Sequence, residues 1–238
     1  NKLIGNLILT SASDNEENDV LFLVVNQLNR GIAFIQEEEK IELAMLNLRA
    51  GEKAMSLATF LISASYLKAG IDLLCKNHWE KHYCLSLELY SLYAEAEYCN
   101  GNFQEVGHAT GVVIKKAKSF EDKNRIFATL IKSLAGQNKM QDAIYIGFTV
   151  LTKLGVHCTS SPPDKSIIMK DIMEIKMILA KTTEAELMNF REMKDKNMIT
   201  AMKFLQILHS YAYIAKQQYL LILIVHMVQL TLRHGICK

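Results

Sequence analysis

Proline is nearly missing from this chain: Pro162 and Pro163, side by side, are the only two in 238 residues. Proline inside a helix costs about 3 kcal/mol, so its scarcity leaves long stretches on either side free to be helical. Long apolar runs are missing too. The longest, residues 219–230, is broken by His226 and Gln229 and falls short of the roughly 20 residues that a membrane span needs. It reads as a buried helix. No signal peptide opens the sequence. Charge of one sign is also absent: the formal net charge is +2, with Lys/Arg and Asp/Glu interspersed. That balance argues against a nucleic-acid or other polyanion-binding surface. The five cysteines, Cys75, Cys84, Cys99, Cys158 and Cys237, are an odd set without a C-x-x-C pair. They read as reduced thiols of a cytoplasmic protein, Cys75 and Cys84 among them as small buried groups. Neither a G-x-x-x-x-G-K-[ST] loop nor a G-x-G-x-x-G fingerprint occurs, and no G-x-S-x-G elbow. Phosphate cradles and an exposed nucleophilic serine are thereby unsupported.

What is present is helical periodicity nearly everywhere. Leu21, Val24, Val25 and Leu28 share one stripe, and Ile41, Ala44, Met45 and Leu48 recur at i, i+3, i+4, i+7. The pattern predicts helices over residues 2–9, 19–29, 38–50, 54–75, 82–99, 103–119, 123–135 and 140–154. After a Gly/Ser/Pro stretch at 155–166, it predicts four more over 167–181, 184–190, 198–215 and 218–234. Gly51 reads as a helix stop, Gly70 as an interruption, and Asn100-Gly101 as a stop with a turn. Stopping at Lys238 inside a helical pattern reads as a segment of a longer polypeptide.

The most informative signal is internal repetition. Asn102-Phe-Gln-Glu-Val sets against Lys139-Met-Gln-Asp-Ala, 37 residues later and close to the 34 of a tetratricopeptide repeat. A more divergent third unit runs from Leu48-Arg-Ala-Gly-Glu-Lys-Ala54 to Tyr66-Leu-Lys-Ala-Gly-Ile-Asp-Leu-Leu74. One hairpin cannot bury its own apolar face, whereas stacked neighbours can. The expected fold is therefore all-α, a tetratricopeptide-like superhelix of antiparallel pairs stacked in a right-handed curve. Its expected parts are repeats over 1–154, a linker over 155–166 and a C-terminal helical part over 167–238.

Candidate chemistry is sparse. In Asn77-His-Trp-Glu-Lys-His82-Tyr83, His78 and His82 lie at i, i+4 with Cys75 and Cys84 nearby, but the spacing matches no zinc pattern. Trp79 reads instead as a packing anchor between the helices flanking it. Glu37-Glu-Glu39 fits a helix N-terminus, where acids oppose the macrodipole. The run Lys115, Lys116, Lys118, Lys123, Arg125 is interleaved with Glu121 and Asp122 and lacks the aromatics of a nucleic-acid platform. Methionines cluster between Met169 and Met202. Core gap-filling is the default reading and a pliable docking surface the alternative. Catalytic residues, cofactor-binding residues and metal ligands are none.

Several stretches together resemble one architecture. These are Val25-Asn-Gln-Leu-Asn-Arg-Gly31, Leu46-Asn-Leu-Arg-Ala-Gly51, and Trp79-Glu-Lys-His-Tyr83 leading to Leu87-Glu-Leu-Tyr90. Others are Ala94-Glu-Ala-Glu-Tyr-Cys-Asn-Gly-Asn-Phe103, residues 132–143, Val150-Leu-Thr-Lys-Leu-Gly-Val156 and residues 198–232. The chain resembles the helical segment of large multi-domain signalling kinases. Those join a serine/threonine-kinase-like domain, an AAA-type (STAND-class) ATPase, a helical region, a GAF sensor and often a histidine kinase. No kinase or ATPase motif lies in the matching stretches, so the resemblance carries over no catalytic residue. It implies a non-catalytic scaffold. With the odd cysteine count and the short apolar run, the expected protein is cytoplasmic, with no cofactor and no membrane contact. Its expected partners are other domains of the same polypeptide or a signalling protein. The second function class is a nucleic-acid-binding or transcription-regulator arm.

Overall fold

A computed structural model describes residues 17–157, 164–215 and 217–237. The helix expected over 2–9, Cys158 and the two prolines lie outside the described residues. Twelve α-helices are described: α1 (Glu17–Arg30), α2 (Glu37–Ser56), α3 (Phe60–Asp72), α4 (His78–Lys81), α5 (Tyr83–Cys99), α6 (Phe103–Lys116), α7 (Asn124–Gly136), α8 (Met140–Lys153), α9 (Lys165–Lys181), α10 (Glu184–Met188), α11 (Lys196–Ala215) and α12 (Gln217–His234). Among the described residues the only β pairing is an isolated bridge between Glu192 and Ile236. The protein is all-α.

The recurring element is a turn. α2 passes to α3, α5 to α6 and α7 to α8 through the same backbone conformation. Ala58, Gly101 and Asn138 stand at φ 55°, 75° and 62°. The N–H of the residue after each donates five positions back, Thr59 to Ala54, Asn102 to Glu97 and Lys139 to Leu134, each at 2.9 Å. A second bond closes inside it, from Ala58 to Met55, Gly101 to Tyr98 and Asn138 to Ala135, at 2.9–3.0 Å. This is the Schellman arrangement, which satisfies the last carbonyls of a helix and reverses the chain. A large apolar residue, Phe60, Phe103 or Met140, opens the next helix each time. The 37-residue sequence offset therefore marks a real structural repeat of the turn.

Ala58 is the strained member. An L-residue with a Cβ in the left-handed region costs about 1–2 kcal/mol, while glycine adds about 0.4–1 kcal/mol of unfolded-state freedom. Ala58 is exposed, so no packing opposes the change. Ala58→Gly should raise stability by up to about 1 kcal/mol, seen as a higher midpoint in thermal denaturation. An unchanged or lower midpoint would contradict the strain.

Two glycines do not act as the sequence suggests. α2 runs straight through Gly51 to Ser56, and α3 through Gly70 to Asp72. Both are close-approach positions. A methyl placed on Gly51 would stand 2.5 Å from Leu67 Cγ, and one on Gly70 would stand 2.8 Å from Leu89 Cδ2. The break expected near Gly70 falls instead at 57–59, dividing the helix expected over 54–75. The Glu37–Glu39 run does open α2, where Glu39 accepts the Gln36 N–H at 2.9 Å.

The chain forms two compact units, Asn1–Thr129 and Leu130–Lys238, dividing within α7. In the first, α2 packs on α3, α3 on α5 and α5 on α6, with α1 against α2. Each helix touches chiefly its neighbours, and the short turns make the pairs antiparallel. Leu43, Ala64, Leu67, Leu89, Leu92 and Val113 line their shared core. Polar contacts also cross it: buried Asn47 exchanges two 2.9 Å hydrogen bonds with Asn29 of α1, and buried Ser63 of α3 donates to the Gly51 carbonyl of α2 at 2.8 Å.

In the second unit α11 packs on both α8 and α12, and α9 lies on α12. Gly147 of α8 repeats the close approach, with a Cβ there falling 2.4 Å from Leu208 of α11. Phe148 meets Tyr219 edge-on at 5.6 Å. After α12 the chain turns at Gly235, φ 109°. Ile236 N–H then donates to Arg191 O at 2.8 Å, and Met193 N–H to Ile236 O at 2.9 Å. This clip ties the end of α12 to the segment before α11.

Candidate functional site

The polar cluster that the sequence singled out folds around the one-turn helix α4. Trp79 is 9% exposed. Its ring lies 5.6 Å from that of Tyr90, 6.0 Å from Tyr83 and 5.5 Å from His78. Tyr83 and Tyr90 both stand on α5, so the indole locks α4 onto that helix, the packing role expected of it. His78 stacks on Tyr90 within 5° of parallel, and its Nδ1 lies 2.7 Å from Ser86 Oγ. Burial and the nearby Lys116 and His82 charges push the His78 imidazole below its ordinary range.

A histidine beside a serine raises the question of a nucleophile. Ser86 is fully buried, and its hydroxyl donates to the His82 carbonyl at 2.8 Å. Ser86 lies inside the junction, where its hydroxyl satisfies a backbone carbonyl, while His78 is half-buried beside it. Cys75 and Cys84, read from sequence as buried, are exposed. Cys75 lies in the loop between α3 and α4, and Cys84 in the first turn of α5. Among the described residues no group of three or more His, Cys, Asp or Glu converges to hold a metal.

The junction reaches on to the start of α7. Tyr83 donates to Asp122 at 2.6 Å and accepts the Lys118 N–H at 2.8 Å, with Lys118 Nζ 4.4 Å from the Tyr83 ring centroid. The Tyr83 hydrogen bond, with those from Ser119, holds the Asp122 carboxyl below its usual range. Arg125 grips Glu95 with two bonds, at 2.6 and 2.8 Å, and Glu88 with a third at 2.7 Å. Two of the five cations in the basic run are thus engaged within the fold.

The second unit holds an open hollow of about 690 Å³ lined by Lys181, Thr182, Glu186, Asn189, Phe190 and Arg191. Glu186 caps α10 there: it accepts from the Thr183 N–H at 2.8 Å and hydroxyl at 2.9 Å, which hold its carboxyl low.

The methionines divide. Met193 and Met202 are buried, but Met169, Met173 and Met177 on α9 are 52%, 57% and 60% exposed. For these three the core reading fails. Their spacing puts them opposite Ile168, the one buried residue of α9, and core-filling and surface methionines share the same periodicity in sequence. Among the described residues no helix is long and apolar enough to cross a membrane.

Helical hairpins closed by a repeated turn place the chain in the all-α class. A curated relative narrows this: the hybrid signal transduction histidine kinase G of Dictyostelium discoideum is 27% identical over 146 residues. The match covers 57% of this chain and 4% of that protein, so the chain spans a small part of its relative's length. No protein-family model matches the chain, and no solved structure does. The similarity supports a distant relation to a signalling kinase.

Proposed function

We propose that the chain is a non-catalytic, tetratricopeptide-like helical scaffold of a multi-domain signal-transduction kinase. In this reading it mediates contacts with other domains of the same polypeptide or with a signalling partner in the cytoplasm. It also passes shape changes between an upstream AAA/STAND-type ATPase and downstream sensor or kinase domains. The observation that carries the reading is the turn closed three times with the same hydrogen bonds, twice between helices, α2–α3 and α5–α6, that pack directly on each other. Such an array transmits small rotations from pair to pair, because each contact is local. The relation to a signalling kinase supports the setting, and the internal use of His78, Ser86, Lys118 and Arg125 supports a binding role over catalysis.

Two measurements test it. The isolated chain should neither bind nor hydrolyse ATP. Excising it from the polypeptide that carries it should leave ATPase and kinase each active but abolish the dependence of one on the other. ATP turnover by the chain, or unchanged dependence after excision, would overturn the proposal. Salt-dependent binding of the chain to RNA or DNA would favour the nucleic-acid reading instead.

A further inference from the structure

α9 has two faces of different character. Ile168 is buried and Ile172 and Ile175 partly so, and Glu174 pairs with Arg233 of α12 at 3.3 Å. These residues hold α9 to α12. On the other side Met169, Met173 and Met177 stand at i, i+4, i+8, successive steps of about 40° around the helix, forming one exposed ridge. On the same helical geometry Lys165 and Lys176 flank the ridge on one side, and Lys170 and Lys181 on the other. All four lysines are exposed, and among the described residues none forms an ion pair. The two acids of α9, Asp171 and Glu174, fall outside the ridge and its lysine rows.

We propose that this face of α9 docks an amphipathic α-helix whose apolar seam is bordered by glutamate or aspartate. An i±4 row is the ridge that fits between the ridges of a partner helix. Methionine side chains, unbranched and polarizable, adapt to the partner's surface as Met-rich helix-binding grooves do. The two lysine rows set the partner's charge and favour its approach. A second copy of α9 is excluded as the occupant, because it would set lysine rows against lysine rows. An anionic membrane surface fits less well, since the ridge carries no Trp, Phe or Leu to enter the acyl boundary. The inference rests on the scaffold reading and names one of its binding faces.

The test uses the full chain and two fluorescent helical peptides with the same leucine seam, one bordered by glutamates and one by lysines. The chain should bind the glutamate peptide saturably and the lysine peptide not at all. Joint Met173→Gln and Met177→Gln should weaken binding at least ~10-fold, as loss of central interface anchors does. Joint Lys170→Glu and Lys176→Glu should reverse the preference, a gain that misfolding cannot produce. Equal binding of both peptides, binding of neither, or unchanged affinity in the methionine variant would overturn the proposal. So would sedimentation with phosphatidylserine vesicles without peptide binding. Any of these outcomes would remove the α9 face alone. The scaffold reading is decided separately, by the ATP and excision measurements.

Discussion

Trp79→Ala should lower the free energy of unfolding by roughly 3–5 kcal/mol, the range for removing a large buried aromatic. The residue is 9% exposed and stands within 6.0 Å of three other rings, centroid to centroid. Ring pairs of this kind add to the area term. α4 has four residues, too few to hold a helix by its own hydrogen bonds, so the indole is what fixes it. The exposed pairs of Arg125 set the scale for comparison, since such ion pairs contribute about 0.2–1 kcal/mol each. Urea denaturation of the two proteins measures the difference. Fluorescence gives an independent check, because Trp79 is the only tryptophan. Its emission should be blue-shifted from that of an indole in water and should move to the water value on unfolding. A loss below about 1 kcal/mol, within reach of an ordinary surface change, would show that the rings do not lock the junction.

Trp79 was legible in the sequence because one large ring beside a helix start has few other uses. The Asn100-Gly101 stop was legible for a similar reason: glycine at the left-handed position is its own signal, and the structure puts Gly101 at φ 75°. The corresponding stop after α2 was not. There alanine occupies the left-handed position, and nothing in Ser56-Leu-Ala-Thr59 announces it. Gly51 and Gly70 misled in the opposite direction, because glycine serves both as a helix terminator and as a seat for a neighbouring side chain. Only the partner helix distinguishes the two uses. The α9 face was hidden by the same limit. Periodicity shows that Met169, Met173 and Met177 share a side, but not whether another element covers that side. His78 and Ser86, eight residues apart with a helix boundary between them, carry no spacing that would predict their contact.

The Gly51–Leu67 contact makes a prediction whose sign depends on background. In the wild-type chain, Gly51→Ala gains about 1 kcal/mol of helix propensity but places a methyl 2.5 Å from Leu67 Cγ and 2.6 Å from Cδ2. Leu67 is fully buried, so it cannot swing away without disturbing the α2–α3 core, and overpacking costs about 1–3 kcal/mol. The net effect should be destabilising. Leu67→Ala alone should cost about 2–5 kcal/mol, the transfer term plus the cavity left between the two helices. With Leu67 already truncated, the clash is gone and the cavity lies directly over Gly51. Gly51→Ala should then stabilise, by about 1 kcal/mol from propensity and somewhat more from the space its methyl fills. The double-mutant cycle should therefore show a coupling of 0.5–3 kcal/mol, the range seen for residues in direct contact. Denaturant midpoints of the four proteins measure it. If Gly51→Ala shifts stability equally in both backgrounds, the glycine is not a seat for Leu67. The continuity of α2 through Gly51 would then need another cause. A reversal of sign would establish close helix approach as the reason that this glycine sits inside a helix.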